Sequence, residues 1–494
     1  MESPPGPSPD ARPGSPGRMP STPLRRAIVV ALVAVALVIG SIWGIPALTG
    51  GGPSLAPSSG ALPSVVALAT PSLGIRPSPG STANPPASLS PTRRLAGTGS
   101  IAIVGADGSL SLVDATGRPS ALSPATDASL GFPAWSPDGS RIAVVRSSNA
   151  NEILVFDAQR AAAGQAVDPL VIFRNSTVDP FYLSWTPDDR VSFLADDPEG
   201  QSLRVAPADG SAPLDGTGPG ATIRSGHPFY FDWIERDRVL VHVGTGTDAF
   251  LGEIGLDGTP VSPALKAPGD FRSAVVSHDR SFVGYVRAST DPSADIVVAA
   301  RDGSSEHTMP VFGTAAVAFD PVGDTIASIG PTQPADARFT IPLGPLRVLD
   351  PASGKARTLV DGSVVSFWWS PDGTTIAALR VQPVATTASL TSSTAASSAV
   401  PSSSPGATEI RLLFVDVVSG EIRSQSVVQP GQLFIDQFMT YFDQYALSHR
   451  LWAPDGSSFL LPVVDRGGAT RVEVAFPNGD PPVMIDGVIG FWSP

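Results

Sequence analysis

The sequence predicts an all-β fold built from repeated units, and three observations support this prediction. The phrase Trp-Ser-Pro-Asp-Gly is complete at 135–139 and again at 369–373. Near copies stand at 185–189 and 452–456, and the sequence ends inside a further copy at 492–494. Runs of β-branched and apolar residues follow these copies. A phrase that recurs at intervals of roughly 40 to 50 residues is typical of a repeat architecture.

The phrase itself predicts a strand, a tight turn and a second strand. Proline presets φ for the second position of a type I turn, serine is favoured at the first position and glycine at the fourth. Ser136 to Gly139 therefore forms a turn, and the run 141–145 forms the strand after it. The tryptophan before the turn ends the preceding strand, where we expect it to bury a large apolar area between neighbouring units.

Weaker copies of the phrase complete the series of repeats. The anchor residue of each copy is Trp135, Trp185, Trp233, Val276, Phe319, Trp369, Trp452 or Trp492. Their spacings are 50, 48, 43, 43, 50, 83 and 40 residues. These anchors predict about eight four-stranded units. A count of seven stays open because the copies at 233 and 276 are the weakest.

The two ends of the repeat region complement each other. The sequence ends at Trp492-Ser-Pro before its expected next strand, and the run 99–104 has the character of that missing strand. Pairing the first strand with the last unit would remove an exposed sheet edge. We therefore expect a closed β-propeller over residues 99–494.

The repeated Trp-Ser-Pro-Asp-Gly turn, followed by strands such as Arg141-Ile-Ala-Val-Val145, resembles the repeats of the TolB-type β-propeller family. The resemblance covers residues 99–494 and implies the propeller fold. It is unspecific for function. It implies either a periplasmic protein-binding scaffold or the non-catalytic part of a serine peptidase.

The N-terminal region contains a candidate membrane anchor. Residues 27–45 are 19 uncharged, mainly apolar residues, which is long enough for a helix to cross the hydrocarbon core. Arg18, Arg25 and Arg26 precede them, and cationic flanks stay in the cytoplasm. We expect a cytoplasmic tail at 1–26 and a single-pass protein of the cell membrane with its propeller on the extracytoplasmic side. The alternative is a cleaved signal and a secreted propeller.

Two low-complexity segments flank or interrupt the repeats. Residues 46–98 are rich in proline, serine and glycine, which is typical of a linker. Residues 383–408 have a similar composition and are predicted to be a disordered insertion between two strands. Removing this insertion brings the longest spacing close to one unit.

Composition excludes several classes of function. The chain has no cysteine, so it has no disulfide, thiolate metal site or cysteine nucleophile. Residues after position 96 hold 25 basic and 43 acidic side chains, which argues against a nucleic acid as partner. No nucleophile elbow or phosphate-binding loop occurs, and the five histidines lack metal-ligand spacing. The aspartates of the repeated turn are interpreted as structural. The sequence therefore predicts no catalytic residue, cofactor or metal.

The segment 432–449 departs most from the repeat pattern. Phe434, Phe438, Tyr441 and Tyr445 fall at helical spacing in a stretch rich in aromatic residues. Aromatic residues are enriched at interface hot spots, so these four are predicted partner contacts. The alternative is a short helix that caps a unit and buries its aromatic rings.

Together these observations predict a membrane-tethered, extracytoplasmic β-propeller that acts as a non-catalytic binding scaffold. Its partner would be an envelope protein or a small ligand. The alternative function is a hydrolase or lyase that uses the axial channel of the propeller.

Overall fold

A computed structural model describes residues 95, 98–198, 200–215, 222–244, 249–261, 274–288, 293–334, 341–384 and 408–494. The predicted cytoplasmic tail (1–26), the predicted anchor (27–45), nearly all of the linker (46–98) and most of the insertion (383–408) lie outside these residues. Within the described ranges, no helix combines the length and the apolar character that a membrane span requires.

The described chain consists mainly of short β-strands. The strands are β1 Ile101–Val104, β2 Leu110–Val113, β3 Pro119–Ser123, β4 Ser129–Leu130, β5 Ala134–Trp135, β6 Arg141–Ser147, β7 Asn151–Asp157, β8 Leu170–Asn175, β9 Asp179–Trp185, β10 Arg190–Asp197, β11 Gly200–Pro207, β12 Thr222–Ser225, β13 Phe229–Glu235, β14 Arg238–Val243, β15 Phe250–Gly255, β16 Val275–Val276, β17 Phe282–Ala288, β18 Ser293–Ala300, β19 Glu306–Phe312, β20 Ala316–Phe319, β21 Ile326–Ile329, β22 Gly344–Asp350, β23 Lys355–Trp369, β24 Thr375–Pro383, β25 Thr408–Asp416, β26 Ile422–Val428, β27 Phe459–Val464, β28 Thr470–Ala475, β29 Val483–Asp486 and β30 Ile489–Trp492. The helical elements are α1 Ala158–Ala162, a π-helix Phe434–Phe438, a 3₁₀-helix Met439–Tyr441 and α2 Phe442–Tyr445.

These strands form seven antiparallel sheets within the described ranges. With the strands of each sheet given in hydrogen-bonded order, the sheets are β30-β1-β2-β3, β4 and β5 with β6-β7-β8, β9-β10-β11-β12, β13-β14-β15, β16-β17-β18-β19, β20 through β26, and β27-β28-β29. The seven-stranded sheet contains two repeat units, because the first half of β23 pairs with β22 and its second half pairs with β24. The strands thus divide into eight groups, in an all-β architecture consistent with a β-propeller.

The hydrophobic core lies between neighbouring sheets. Ile142 to Val145 of β6 are all buried, and so are Ile376 to Leu379 of β24. A continuous buried run of this kind is typical of a strand that is covered on both faces. One core cluster joins Ile153 of β7 to Phe193 of β10, which belong to consecutive sheets. Neighbouring sheets therefore stabilise one another through such clusters.

The predicted turn of the repeat is confirmed. In the first copy the N–H of Gly139 donates to the carbonyl of Ser136 at 2.9 Å, and Gly139 has a φ of +69° that favours glycine. The Ser136 hydroxyl donates to the Asp138 carboxylate at 2.7 Å, and that carboxylate also accepts the N–H of Ser140 at 3.0 Å. The copy at Ser370 and Asp372 repeats this arrangement. The recurring aspartates therefore hold the turns.

The first described strand and the last strand are neighbours. β1 pairs with β30 in antiparallel register, with Ile101 opposite Trp492 and Val104 opposite Ile489. The N–H of Ser493 continues this ladder by donating to the carbonyl of Ser100 at 2.8 Å. The predicted pairing of the two ends of the repeat region is therefore present.

The predicted tryptophan wedge is also confirmed. Four anchor indoles each donate to a carbonyl of another unit, at the residue just before that unit's own anchor. The pairs are Trp135 to Phe491, Trp185 to Ala134, Trp369 to Ala318 and Trp452 to Trp368, at 2.9 to 3.1 Å. Trp233 reaches the equivalent carbonyl, that of Ser184, through the hydroxyl of Ser192. The indoles thus join consecutive units, and the first anchored unit to the last, by one recurring bond.

Two boundary positions refine the predicted organisation. Pro383 at the end of β24 pairs with Thr408 at the start of β25, so the chain between them connects two adjacent strands. Leu95 precedes the expected start of the repeats, yet it is buried and its N–H donates to the carbonyl of Ala115 at 3.0 Å. Contacts with the sheets therefore begin slightly before residue 99.

Candidate functional site

The segment 432–449, here called the central segment, is helical as predicted. It runs from the π-helix through the 3₁₀-helix into α2 without regular strand structure. Its rings contact aromatic residues in or beside the first strands of several units: Phe132 before β5, Tyr182 of β9, Tyr230 of β13, Phe367 and Trp368 of β23, and Phe491 of β30. The central segment therefore packs against strands of several units at once.

The four predicted partner contacts lie in two different environments. Phe434 and Phe438 are completely buried and Tyr445 is 9% exposed. Phe438 stacks on Tyr445 with ring centroids 4.9 Å apart. Tyr441 is 49% exposed. A partner that approaches the surface of the central segment would therefore meet Tyr441 and not the other three rings.

Polar bonds fix the central segment against β9 and β13. The side-chain amide of Gln444 donates to the carbonyl of Phe231 at 2.8 Å, and its oxygen accepts the N–H of Phe231 at 3.1 Å. The amide thus satisfies both main-chain groups of one strand residue. The hydroxyl of Tyr182 donates to the carbonyl of Gln444 at 2.8 Å. Buried polar groups that are paired in this way specify one position for the segment.

A pocket of about 300 Å³ lies beside the central segment. Four aromatic residues of β9 and β13 line it, namely Tyr182, Trp185, Phe231 and Trp233. Leu447 of the central segment and the turn prolines Pro137 and Pro187 also contribute to the lining. Because the prolines and Leu447 are exposed, the pocket is accessible from the surface that carries the repeat turns.

Asp232 is the charged residue in the lining of this pocket. It lies between Phe231 and Trp233 on β13 and is half-buried. Its carboxylate accepts the N–H of Val276 from the neighbouring sheet at 2.9 Å. Burial raises the pKa of Asp232 to about 7, against the lowering effects of main-chain hydrogen bonds and of Arg280. A carboxyl group with such a pKa, next to a cavity, is a recognised sign of a functional site.

A second carboxyl group contributes to the electrostatics of this region. The pKa of Tyr182 is raised, first by burial and then by the charges of Asp232 and Asp443. Asp443 belongs to α2 and is completely buried. Tyr182 therefore lies close to two acidic side chains.

Ser448 and His449 show whether the site could support acid–base catalysis. The Ser448 hydroxyl lies 2.7 Å from Nδ1 of His449, and it also donates to the hydroxyl of Tyr182 at 3.0 Å. However, His449 is buried among aromatic rings, and this burial lowers its pKa to about 3. An effective general base has a pKa near the working pH. The pair is therefore suited to holding the segment in place rather than to activating a nucleophile.

The described residues contain no group of three or more His, Asp or Glu side chains that could hold a metal ion. Asp138 and Asp372, the repeated aspartates, are satisfied by their own turns. Asp232 thus remains the carboxylate that a ligand in the pocket would meet.

The sequence analysis did not identify Asp232 as a site residue. One signal was available, since the residues directly before the eight anchors are Ala134, Ser184, Asp232, Val275, Ala318, Trp368, Leu451 and Phe491. Asp232 is the single charged residue in this series. A charge at a position that otherwise packs between units indicates a local role beyond the repeat.

Comparison with known proteins gives no assignment by sequence. No protein-family model matches the chain. No curated protein matches it either.

Several solved structures are similar to the chain at low identity. The chain is similar to a prolyl endopeptidase, with 12% identity and a TM-score of 0.45 over 72% of this chain and 49% of that one. It is similar to the dihydro-heme d1 dehydrogenase NirN, with 15% identity and a TM-score of 0.49 over 83% and 77%. It is similar to TolB from Acinetobacter baumannii, with 13% identity and a TM-score of 0.33 over 70% of this chain and 80% of that one. The chain spans about half the length of the prolyl endopeptidase. These similarities do not assign the chain to the TolB-type family.

Proposed function

We propose that this chain is a closed, eight-unit β-propeller that binds a small ligand without converting it. The observation that carries the proposal is the pocket of about 300 Å³ in which Asp232 lies among four aromatic side chains. Ligand pockets are typically apolar cavities of several hundred Å³ with a few polar groups that orient the ligand. The pocket at Asp232 has this composition.

Ring closure is part of the proposal because it places the pocket at the mouth of a central channel. Two observations support closure: the β1–β30 pairing and the bond from Trp135 to Phe491. With the ring closed, the central segment fills the channel with buried rings such as Phe438. The space left for a ligand is then beside the segment, where Leu447 reaches the pocket.

A binding role is favoured over a channel enzyme by the state of the titratable groups. His449, the histidine nearest to the Tyr182 network, is held neutral and enclosed. Asp232 is a single carboxylate in the pocket lining, whereas glycoside hydrolysis requires a pair.

We further propose that residues 27–45 tether the propeller to the cell membrane on its extracytoplasmic side. The apolar run and the preceding arginines support this placement. A tethered binding domain would capture its ligand at the cell surface.

The binding proposal is tested by filling the pocket. A set of small fragments is screened by ligand-observed NMR against wild type, against Leu447→Trp, and against Val418→Trp as control. Leu447 is 38% exposed and lines the pocket, whereas Val418 is 85% exposed and outside its lining. We expect fragments whose binding is lost only in Leu447→Trp, and we expect those fragments to be recovered unchanged. If no fragment is sensitive to Leu447→Trp, the pocket is not a ligand site; a fragment that is chemically converted would favour the enzyme.

A further inference from the structure

We propose that the pocket is selective for a small organic ammonium ion, held by the carboxylate of Asp232 and the faces of the surrounding aromatic rings. This inference rests on the proposed binding function and names its ligand class. It follows from the shape, the charge and the size of the pocket.

The walls of the pocket have the chemistry of an aromatic cage. Trp185 and Trp233 come from equivalent positions of two consecutive units, and Tyr182 and Phe231 precede them on the same strands. Tryptophan and tyrosine faces attract cations through the ring quadrupole, and cages of this kind recognise alkylated ammonium groups. The ring of Trp185 already accepts such an interaction, because the guanidinium carbon of Arg141 lies 4.9 Å from its centroid.

The carboxylate supplies the charge that an ammonium ion requires. The N–H of Val276 holds Oδ2 of Asp232 at 2.9 Å, which orients the carboxylate before a ligand arrives. A cation that enters the pocket would pair with this group in a partly desolvated environment, where ion pairs are stronger than in water. A bound cation would also favour the ionised form of Asp232, which burial disfavours.

The net charge of the domain acts in the same direction, although two cations lie close by: Arg280 acts on Asp232, and Arg141 lies against the ring of Trp185. Asp443 and Asp232 both act on Tyr182, and residues after position 96 hold 43 acidic against 25 basic side chains. An acidic domain attracts cations and repels anions as they approach. An anionic ligand would be repelled both by this net negative charge and by the carboxylate of Asp232.

The size of the pocket limits the ligand to a small molecule. A volume of about 300 Å³ lies at the lower end of the range for small-molecule sites. It accommodates a trimethylammonium group with a short substituent and excludes a folded partner. The inference therefore concerns a small cation and not a protein.

Choline and 3,3-dimethylbutan-1-ol are suitable probes, because they share one shape and differ in the positive charge. Both are titrated by calorimetry into the chain at pH 8, above the pKa of Asp232 of about 7. The variants are Asp232→Asn, which keeps the side-chain shape, and Asp361→Asn, which removes one exposed negative charge from β23 outside the pocket lining. Leu447→Trp reports whether the titrated site is the pocket.

We expect choline to bind about tenfold or more tightly than its neutral analogue, and Asp232→Asn to remove this preference. Asp361→Asn should leave both affinities unchanged, and Leu447→Trp should abolish binding. Equal affinity for both probes, lost together in Leu447→Trp, would overturn the ligand class and leave the binding function intact. If Leu447→Trp still binds choline, choline binds outside the pocket, and both proposals about the pocket are wrong. Absence of choline binding at millimolar concentrations would overturn the ligand class, and the fragment screen then decides the function separately.

Discussion

The indole N–H of Trp135 donates a 3.0 Å hydrogen bond to the carbonyl oxygen of Phe491, 356 residues away in sequence. Trp185 makes the equivalent bond to Ala134 at 2.9 Å between two consecutive units. Both tryptophans are 8% exposed. The contact between the first and last anchored units is thus built in the same way as a contact between consecutive units.

Trp135→Phe and Trp185→Phe should therefore destabilise the protein equally. Each change removes one buried hydrogen bond and part of a buried ring, so we expect each to lower the free energy of unfolding by about 2 kcal/mol. Urea denaturation followed by circular dichroism measures both. If Trp185→Phe is costly and Trp135→Phe is neutral, the first and last units do not form a stable interface and the ring is open.

The aspartates of the repeat turns should contribute to stability in a pH-dependent way. Hydrogen bonds from Ser136 and Ser140 lower the pKa of Asp138 to about 2, and those from Ser281 and Ser277 do the same for Asp279. A lowered pKa stabilises the fold above the ordinary value of 3.8, and this contribution disappears as the pH falls through about 2.

Asp138→Asn should accordingly lower the free energy of unfolding at pH 7. Because the turn is exposed, solvent screening limits the loss to about 1 kcal/mol. Denaturation between pH 7 and pH 2 should show a smaller acid-induced loss in the variant than in wild type. Asp361→Asn, at an exposed position outside the turns, serves as control; a variant Asp138→Asn as stable as this control would refute the structural role.

The repeat turns and the strands after them could be predicted because their causes are local. The positive φ of Gly139 and the bonds between Ser136 and Asp138 involve residues within one turn. The strand β6 follows from an unbroken apolar run. Each copy of the phrase carries the same local signal, so the repeat pattern can be predicted even where one copy is weak.

The pocket and the placement of the central segment could not be predicted in the same way. Gln444 and Phe231 are 213 residues apart, and nothing in either local sequence indicates their pairing. The aromatic spacing from Phe434 to Tyr445 predicted a helix correctly. It could not show which rings face outward, because the units that bury Phe438 come from both ends of the repeat region.

Phe438→Ala should be far more destabilising than Tyr441→Ala. Phe438 is completely buried, whereas Tyr441 is 49% exposed. We expect a loss of about 3 to 5 kcal/mol for the first variant, as for other aromatic truncations in cores, and less than about 1 kcal/mol for the second. Thermal and urea unfolding of the two variants provide the test. Equal, small losses would mean that the central segment does not depend on its position between the units.

Tyr441 also allows a direct test of the predicted partner contact. If an envelope protein binds the surface of the central segment, Tyr441→Ala should weaken its capture from envelope extract while the variant melts like wild type. If Tyr441→Ala captures the partner as well as wild type does, the central segment is not the contact surface.

The membrane topology can be tested on intact spheroplasts. Protease added to spheroplasts should degrade the propeller and spare a short N-terminal fragment, because residues 27–45 are expected to span the membrane with the arginines inside. Protection of the whole chain would contradict the topology. A mature N-terminus just after the apolar run would instead show signal cleavage and a secreted protein.

Asp232 should make the protein less stable as the pH rises. Its pKa is about 7 in the folded state and the ordinary value is 3.8. Between these two values the unfolded chain has lost a proton that the folded chain still holds, so stability falls with rising pH and remains low above pH 7.

Asp232→Asn cannot ionise and can still accept the N–H of Val276 through its amide oxygen. The variant should therefore match wild type near pH 4 and exceed it at pH 8 by about 2 kcal/mol, with the half-buried position taken into account. Urea unfolding of both proteins at the two pH values measures this difference directly, and other titrating groups cancel because both proteins contain them.

Choline at saturating concentration should reduce the advantage of the variant at pH 8, since a bound cation stabilises the ionised carboxylate only in wild type. Parallel pH profiles for the two proteins would mean that Asp232 is not held in a desolvating site, and the pocket would then lack the buried charge on which cation selectivity depends.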